Sequence, residues 1–507
     1  MAIIPSMVNW LNNKRLKQIE LFKKYPEETQ EGVLSKLLSK ASNTEWGKTY
    51  EYPSIASVKD YQNRLPIQSY DDIIPIVERL RNGDRNVLWP GEMKWFAKSS
   101  GTTSAKSKFI PVSRDSLEDC HYRGAKDILV IYTNNNPDTK IFSGKGLILG
   151  GSHRINNSRN DSIYGDLSAI LIENAPFWVD LIRTPKSKIA LLEDFEEKLD
   201  QITKLTVNEN VTNISGIPSW FLVLIKQILA YTGKSDLHEV WPNLEVFFHG
   251  GICFAPYREQ FKSFIKGGLM NYMESYNASE GFFGLQDDPS TNDMLLMLDL
   301  GVFYEFIPSD KINSDNPPVL TIGEVSQGVS YAMVISTNGG LWRYVIGDTI
   351  MFTSIKPYKF IISGRTKHYI NAFGEEVIID NAEKALESAC KETGALVAEY
   401  TAGPVFIETN SKGSHEWIIE FEKEPQDLDQ FRDLLDEALK SVNSDYEAKR
   451  YKDLNLVKPV LRSVPAGTFY KWLREKNKLG GQNKVPRLSN TREYIEDLYL
   501  IAGIRSA

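Results

Sequence analysis

Three stretches of this 507-residue chain carry residues whose types and spacing could do chemistry. The first is Trp95-Phe96-Ala97-Lys98-Ser99-Ser100-Gly101-Thr102-Thr103-Ser104-Ala105-Lys106-Ser107-Lys108-Phe109-Ile110-Pro111, an apolar strand-like entry, a hydroxyl-rich turn with lysines, and an apolar exit. Hydroxyls and turn N–H groups can donate to phosphate oxygens while lysines supply charge. The same composition also suits a Ser/Thr-rich hairpin turn. The second stretch, Tyr276-Asn277-Ala278-Ser279-Glu280-Gly281-Phe282-Phe283-Gly284, sets a carboxylate among small residues. Such a carboxylate can hold a hard cation such as Mg²⁺, which keeps most of its waters, or it is a solvated loop glutamate. The third, Gly340-Leu341-Trp342-Arg343-Tyr344-Val345-Ile346-Gly347-Asp348, is a strand ending in Gly-Asp. An aspartate there can accept both hydroxyls of a ribose. Arg343 could face a phosphate or pair with a surface carboxylate.

In this order, and followed by Gly364-Arg365 ahead of a small last domain, the three stretches resemble the adenylate-forming superfamily. The closer resemblance is to the GH3 auxin-responsive family of acyl acid amido synthetases. It rests on Ser-Ser-Gly-Thr continuing to Lys108-Phe109-Ile110-Pro111, on Tyr276-Asn277-Ala278-Ser279-Glu280, and on Lys484-Val485-Pro486-Arg487, similar to a late Lys-x-Pro-Arg of that family. One departure is Ala105, where the family loop carries a second glycine; the alanine stiffens the loop but stays small.

The resemblance implies an α/β fold: a large N-terminal adenylation domain, residues 1–363, with mostly parallel sheets and a β-hairpin region, and a smaller mobile α+β domain, residues 364–507. It implies that Ser99, Ser100, Thr102 and Thr103 hold the β- and γ-phosphates of ATP. Glu280, in the motif with Ser279, positions Mg²⁺; Asp348 takes the ribose; Tyr276 lies near the adenine. His249, Gly250 and Gly251 match the adenine-site strand end, Arg365 the hinge, and Lys484 the lysine that meets the α-phosphate. The implied reaction joins a small carboxylic acid, through its adenylate, to an amino acid amine. The alternatives are a thiol acceptor such as coenzyme A, or a nucleotide-binding protein without chemistry.

Other chemistries lack their residues. Gly150-Gly151-Ser152-His153 has no closing glycine of a nucleophile elbow, and no Gly-x-x-x-x-Gly-Lys-Ser/Thr loop occurs. Cys120-His121 are adjacent rather than at metal-ligand spacing, and the six histidines read as structural. With 42% hydrophobic and 25% charged residues the composition is that of a soluble globular protein. A net charge of -7 and a pI near 5.6 argue against a nucleic-acid footprint. Three scattered cysteines, Cys120, Cys253 and Cys390, point to a reducing cytosol. Met1 to Trp10 lacks an apolar signal core, and the run Trp220 to Ile225 is far short of the ~20 residues that cross a bilayer. The expected partners are small molecules in the cytoplasm.

Periodicity places these stretches on elements. Residues 1 to about 50 read as packing helices, with Leu11, Leu16, Ile19, Leu21 and Phe22 at helical spacing. Ser113 can cap a helix reaching about Tyr132, and Ile141 to Gly151 reads as a strand. A helix over Asp194 to Val207, a strand Val211 to Ser215, a helix from Trp220 to Tyr231 and a strand Leu244 to Phe248 give the alternation of a parallel α/β sheet. After Met270 the pattern turns to strands: Leu295 to Leu300, Val302 to Ile307, and a hairpin of Tyr331 to Ser336 with Leu341 to Ile346 around Asn338-Gly339-Gly340. Phe177, Trp178, Trp220 and Phe221 could line an aromatic pocket or belong to the core.

Overall fold

A computed structural model describes the chain apart from residues 1–2, 100–107, 152, 156–161, 178, 252–253, 255–256, 267–269, 313, 315, 366–368, 371–374, 376, 408–411, 451–455, 480–483 and 505–507. Two units form, residues 1–217, 240–251 and 268–361, and residues 218–239, 252–267 and 362–507.

In chain order the first unit's strands are β1 (Trp95–Ser99), β2 (Lys108–Val112), β3 (Lys145–Ile148), β4 (His153–Ile155), β5 (Ile163–Gly165), β6 (Arg183–Thr184), β7 (Val211–Gly216) and β8 (Val246–Gly250). They continue with β9 (Asn271–Ala278), β10 (Gly281–Leu285), β11 (Met294–Leu296), β12 (Val302–Pro308), β13 (Ser330–Thr337), β14 (Tyr344–Ile355) and β15 (Tyr358–Arg365), whose residues from 362 onward belong to the second unit. One sheet runs β12-β13-β14-β15-β11-β10-β9-β8-β7-β3-β6, and a smaller one β2-β1-β5-β4. The neighbours β6, β3, β7, β8 and β9 are parallel. Their short apolar runs suit strands covered on both faces. From β9 onward the pairings β9/β10, β10/β11, β11/β15, β13/β14 and β12/β13 are antiparallel. Strand β9 is therefore the seam of a mixed sheet. Since β8 and β9 run parallel, their C-terminal ends reach the same sheet edge, where ligands of α/β folds gather.

The N-terminal helices pack, as their spacing suggests. On helix Pro26–Ala41 the Gln30 amide donates to the carbonyls of Leu298 and Val302 and accepts from the Tyr304 N–H, closing three backbone groups at the start of β12. Arg15, on helix Ile3–Lys24, joins Asp127 and Asp299. The Asn-Gly-Gly turn does join β13 to β14, and Asp194 caps helix Phe195–Thr206 by accepting from Glu197 N–H. Two readings change. Residues 141–151 form a 3₁₀ turn, Ile141–Ser143, before the four-residue β3, because the glycines shorten the strand. The strand expected over Leu295 to Leu300 is shorter, Met294–Leu296, and lies between β10 and β15, a long-range pairing that local sequence does not encode.

The second unit contains helices Pro218–Thr232 and Arg258–Phe264, the two-stranded β16 (Tyr369–Ile370) and β17 (Val377–Ile378), and the sheet of β18 (Leu396–Ile407), β19 (Lys412–Lys423) and β20 (Val460–Val464). Helices Ile379–Thr393 and Leu428–Val442 contribute Ala385, Leu386, Phe431 and Leu435 to a core with Tyr400 and Trp417. Strands and helices follow in separate pairings, an α+β arrangement. Trp220 and Phe221 are core residues, whereas Phe177 is 86% exposed and Trp178 lies outside the described residues.

Candidate active site

Strand β8 ends at His249-Gly250, and the next residue, Gly251, has φ +85°. A Cβ on Gly250 would stand 2.2 Å from the Ser275 carbonyl oxygen, so a glycine is needed for β8 to lie this close to β9. His249 is buried, and its carbonyl accepts from the Ser275 hydroxyl at 3.4 Å.

Strands β9 and β10 form a hairpin whose tip is Ser279-Glu280. Ser279 is buried and Glu280 half-buried. The hydroxyl of Tyr276 donates to Oδ2 of Asp348, joining the second and third chemical stretches. The Tyr276 ring packs edge to face on Phe283 with centroids 5.0 Å apart. Asp348 is aimed by an irregularity in β14: the register with β13 shifts between Ala332 and Val334, and Gly347 takes φ +98°. That conformation suits a glycine, and the bulge re-aims the residue after it.

Tyr344, fully buried at the start of β14, feels the charges of both Glu280 and Asp348. Burial, then Glu280, holds its phenol well above the usual range, so it stays protonated. Tyr70 is among its neighbours, and the Tyr70 hydroxyl accepts from Phe109 N–H at 2.7 Å, with the Lys108 ammonium 5.5 Å from the Tyr70 ring. Lys108 and Phe109, where the hydroxyl-rich stretch runs into β2, thus lie beside Tyr70. The ends of that stretch are paired in register, Ser99 with Lys108 and Lys98 with Phe109, which makes it a hairpin connection in topology. Ser100, Thr102 and Thr103, with the side chain of Ser99, lie outside the described residues.

Arg343 is held by groups of the protein itself. Its guanidinium pairs with the fully buried Glu305, Nε and Nη2 each at 3.0 Å, and donates to the carbonyls of Gln62 and Leu65. Its partner is a carboxylate, but a buried one.

Arg365 and Lys484 belong to the second unit, and the side chain of Arg365 lies outside the described residues. Lys484 is half-buried and opens a segment bound along β18. Thr401 Oγ1 donates to Pro486 O at 2.6 Å, Ala402 N–H to Arg487 O at 2.8 Å and Ser489 N–H to Ala402 O at 3.0 Å. Arg487 anchors that segment through Glu399, the Tyr257 hydroxyl at 2.5 Å and the Tyr400 ring at 4.5 Å.

Two neighbours of the site had no signal beyond their identity. Cys120 Sγ accepts from Phe282 N–H at 3.2 Å, and His121 Nδ1 lies 2.9 Å from Asn277 Oδ1. Both approach the β9/β10 hairpin from a helix far away in sequence, so spacing could not reveal them.

Glu280 fits a magnesium site as far as its chemistry goes. It is an oxygen donor at a turn, and Mg²⁺ needs only one or two carboxylates besides waters and phosphates. Among the described residues no cluster of three or more acidic, histidine or cysteine side chains could hold a metal by itself.

Comparison with known proteins adds three matches to family models: the GH3 family N-terminal domain over residues 15–270, the central domain over 295–365 and the C-terminal domain over 380–493. An indole-3-acetic acid-amido synthetase GH3.4 of Arabidopsis thaliana is 25% identical, the match covering 94% of this chain and 91% of that one. A jasmonoyl-L-amino acid synthetase JAR4 of Nicotiana attenuata is 22% identical, over 93% and 92%. Among solved structures, a GH3.15 acyl acid amido synthetase superposes with a TM-score of 0.79 at 18% identity, over 96% of this chain and 95% of that one. A 2-hydroxyisobutyryl-CoA ligase in its postadenylation state superposes with a TM-score of 0.61 at 12% identity, over 93% and 91%. The fold of this chain is shared with both.

Proposed function

The chain belongs to the GH3 family, and from that premise we propose that it is an ATP-dependent, AMP-forming ligase that adenylates a small carboxylic acid and transfers the acyl group to an amino acid amine. The observation that carries the reading is the bond from Tyr276 to Asp348 beside the Ser279-Glu280 turn. It gathers the residues of two distant motifs into one place.

In this reading Gly250 and Gly251 let the adenine approach the backbone beside Tyr276 and Ser279, and Asp348 accepts from the ribose hydroxyls. Ser99, Ser100, Thr102 and Thr103 hold the β- and γ-phosphates, and Glu280 holds Mg²⁺. A magnesium ion bound there would neutralise charge on the phosphate oxygens. Lys484 brings its ammonium to the α-phosphate, and Arg365 lies at the hinge between residues 1–363 and 364–507. The attacking carboxylate is already ionised at pH 7 and needs no base; it needs charge on the α-phosphate neutralised, which a lysine supplies. Pyrophosphate leaves in that step. In the second step the amine nitrogen attacks the acyl carbonyl, the C–N bond forms, the C–O bond to AMP breaks, and one amine proton is released. AMP is a good leaving group, so orientation does most of the work.

The shared fold with a CoA ligase supports a second reading with a thiol acceptor. One experiment separates the two. Protein, ATP and Mg²⁺ are incubated with a panel of aryl and alkyl carboxylates, and either the twenty amino acids or coenzyme A, with products weighed by mass spectrometry. An ATP-dependent mass of acid plus amino acid minus water supports the amido synthetase; a thioester supports the second reading. Glu280→Gln and Lys484→Ala are each expected to slow pyrophosphate release roughly 10²–10³-fold, the scale of one preorganised charge contact. Wild-type rates in both would overturn the site assignment.

A further inference from the structure

Strand β13 pairs in unbroken register with β12 and, at its C-terminal end, with β14. Three residues stand in a row across these strands: Tyr304 opposite Ile335, and Ile335 opposite Tyr344. Residues directly opposite one another share a face of the sheet. Tyr344 therefore projects to the side of Tyr304, whose ring lies 6.2 Å from Phe283, the ring packed on Tyr276. Its neighbour Val345 joins the other side, with Ala332 and Val334. Tyr276 in turn donates to Asp348, which follows Tyr344 on β14. The same aromatic face thus carries both tyrosines, one on each side of the bond that joins the second and third chemical stretches.

The phenols on this face differ in what they bond. The Tyr276 hydroxyl has Asp348 and the Tyr304 hydroxyl has the Met297 carbonyl at 3.1 Å, whereas the Tyr344 hydroxyl is buried with no hydrogen-bond partner among the described residues. An unpaired buried hydroxyl destabilises a fold, and phenylalanine would fill the same space without that penalty. A tyrosine in such a position points to a partner engaged when the site is loaded. The charges acting on the phenol say which: Glu280 first, then Tyr70, Asp348 and Asp71. Burial keeps the phenol protonated, so it donates. Asp348 already accepts from Tyr276, and Tyr70 from Phe109 N–H. Glu280 is the acceptor that acts on it most strongly.

We propose that Tyr344 is a positioning residue for the metal end of the site, donating its phenol proton to the Glu280 carboxylate when that carboxylate holds Mg²⁺. The inference rests on the ligase reading above, in which Glu280 is the magnesium ligand. A carboxylate has two oxygens, so one can meet the ion while the other accepts the phenol. Mg²⁺ demands regular geometry and takes few protein oxygens, so the orientation of a single carboxylate weighs heavily. Groups that hydrogen-bond a metal ligand fix its direction and strengthen the site without touching the ion. Tyr344 acts in this way, through Glu280 rather than on the substrate.

The test compares wild type with Tyr344→Phe, Glu280→Gln and the double variant, each as the full chain. Without ligand, Tyr344→Phe is expected to keep or raise the urea midpoint, since the hydroxyl removed bonds to nothing, while Tyr304→Phe, which loses the bond to Met297, lowers it. Calorimetry measures ATP affinity in Mg²⁺ and in EDTA, and pyrophosphate release with the best acid from the screen is titrated with Mg²⁺ at saturating ATP. Tyr344→Phe is expected to raise the half-saturating Mg²⁺ roughly ten- to a hundredfold and to leave the affinity in EDTA within about threefold. In the Glu280→Gln background the same change adds less than about twofold, because the charged acceptor is already gone. Three results would overturn the inference and leave the ligase reading intact. They are an unchanged half-saturating Mg²⁺ in Tyr344→Phe, an equal loss of affinity in EDTA, which would put the hydroxyl on the nucleotide itself, and full additivity with Glu280→Gln. A lowered urea midpoint in Tyr344→Phe would do the same, by showing that the hydroxyl already has a partner in the free protein. A Glu280→Gln variant with wild-type Mg²⁺ dependence would overturn the metal assignment, and a wild-type protein that releases no pyrophosphate with any acid would overturn the ligase reading, and this inference falls with either.

Discussion

Tyr276 and Asp348 are 72 residues apart, and the phenol of one fixes the carboxylate of the other. A hydrogen bond to a buried charged group is worth about 1.5–3 kcal/mol, more than a neutral one. Tyr276→Phe is therefore expected to lower stability by about 1–3 kcal/mol and to weaken ATP binding roughly tenfold, because Asp348 loses its orientation. Urea unfolding and calorimetric titration check the two effects; unchanged affinity would mean that Asp348 does not touch the nucleotide. His121 gives a pH dependence of definite sign. Burial holds its folded-state pKa at about 4 against an ordinary value of 6.5. Between those values the unfolded chain binds the extra proton and the folded chain does not, so stability falls as pH drops from 6.5 towards 4. The loss approaches on the order of 3 kcal/mol and should be absent from His121→Gln. Urea midpoints of both proteins at pH 7 and pH 4.5 decide it: equal acid shifts in the two would assign the acid lability elsewhere.

At the scale of elements, Arg343 shows what local sequence leaves open. Next to a Gly-Asp turn it reads equally well as a phosphate ligand, yet it adopts φ 45° and spends its guanidinium on Glu305 and on the carbonyls that close residues 62–65 against β14. Removing one member of a buried pair strands the other charge, so Arg343→Met should cost about 3–5 kcal/mol. Adding Glu305→Gln should recover part of that loss, and a double-mutant cycle by urea unfolding measures it; no recovery would locate the cost in the carbonyl contacts instead. The elements that sequence did make legible are those written in local chemistry. Asn338-Gly339-Gly340 supplied the backbone freedom of a hairpin turn, and the apolar runs ending at Gly216 and Gly250 supplied strands, whereas Asp194, read as part of its helix, stands just before it as the cap. The π turn Ser116–His121, before Tyr122, was not legible, because a shift in helical hydrogen bonding leaves no composition signal. The placement of β11 beside β15 was hidden for a related reason: register between distant strands is set by packing of the whole sheet. The acidic turn Ser279-Glu280 and the Gly347-Asp348 strand end could each be seen, but not the tyrosine hydroxyl that joins them.

For the whole molecule, periodicity says that helix Pro218–Thr232 is apolar without saying what covers it. Residues 218–239 and 252–267 belong to the second unit together with 362–507. Gln260 donates to the Val397 carbonyl at 2.7 Å, the Tyr257 hydroxyl accepts from Arg487 at 2.5 Å, and Lys226 pairs with Glu422. Tyr257 and Phe261 are buried there at 1% and 0% exposure. This unit is therefore built from three separate pieces of chain, and the last piece cannot be removed as if it were a self-contained tail. A chain ending at residue 361 would keep the first two pieces without their partners. Each large apolar side chain bared costs about 1.5–3 kcal/mol of burial. The shortened chain is thus expected to self-associate and to bind an apolar-surface dye several times more strongly than the full chain, even though the Tyr276, Glu280 and Asp348 cluster is still encoded. Size-exclusion chromatography with dye fluorescence measures this directly. A monodisperse shortened protein with the dye response of the full chain would show that the segments at 218–239 and 252–267 find sufficient cover elsewhere, and that the last 146 residues can be treated as an independent unit.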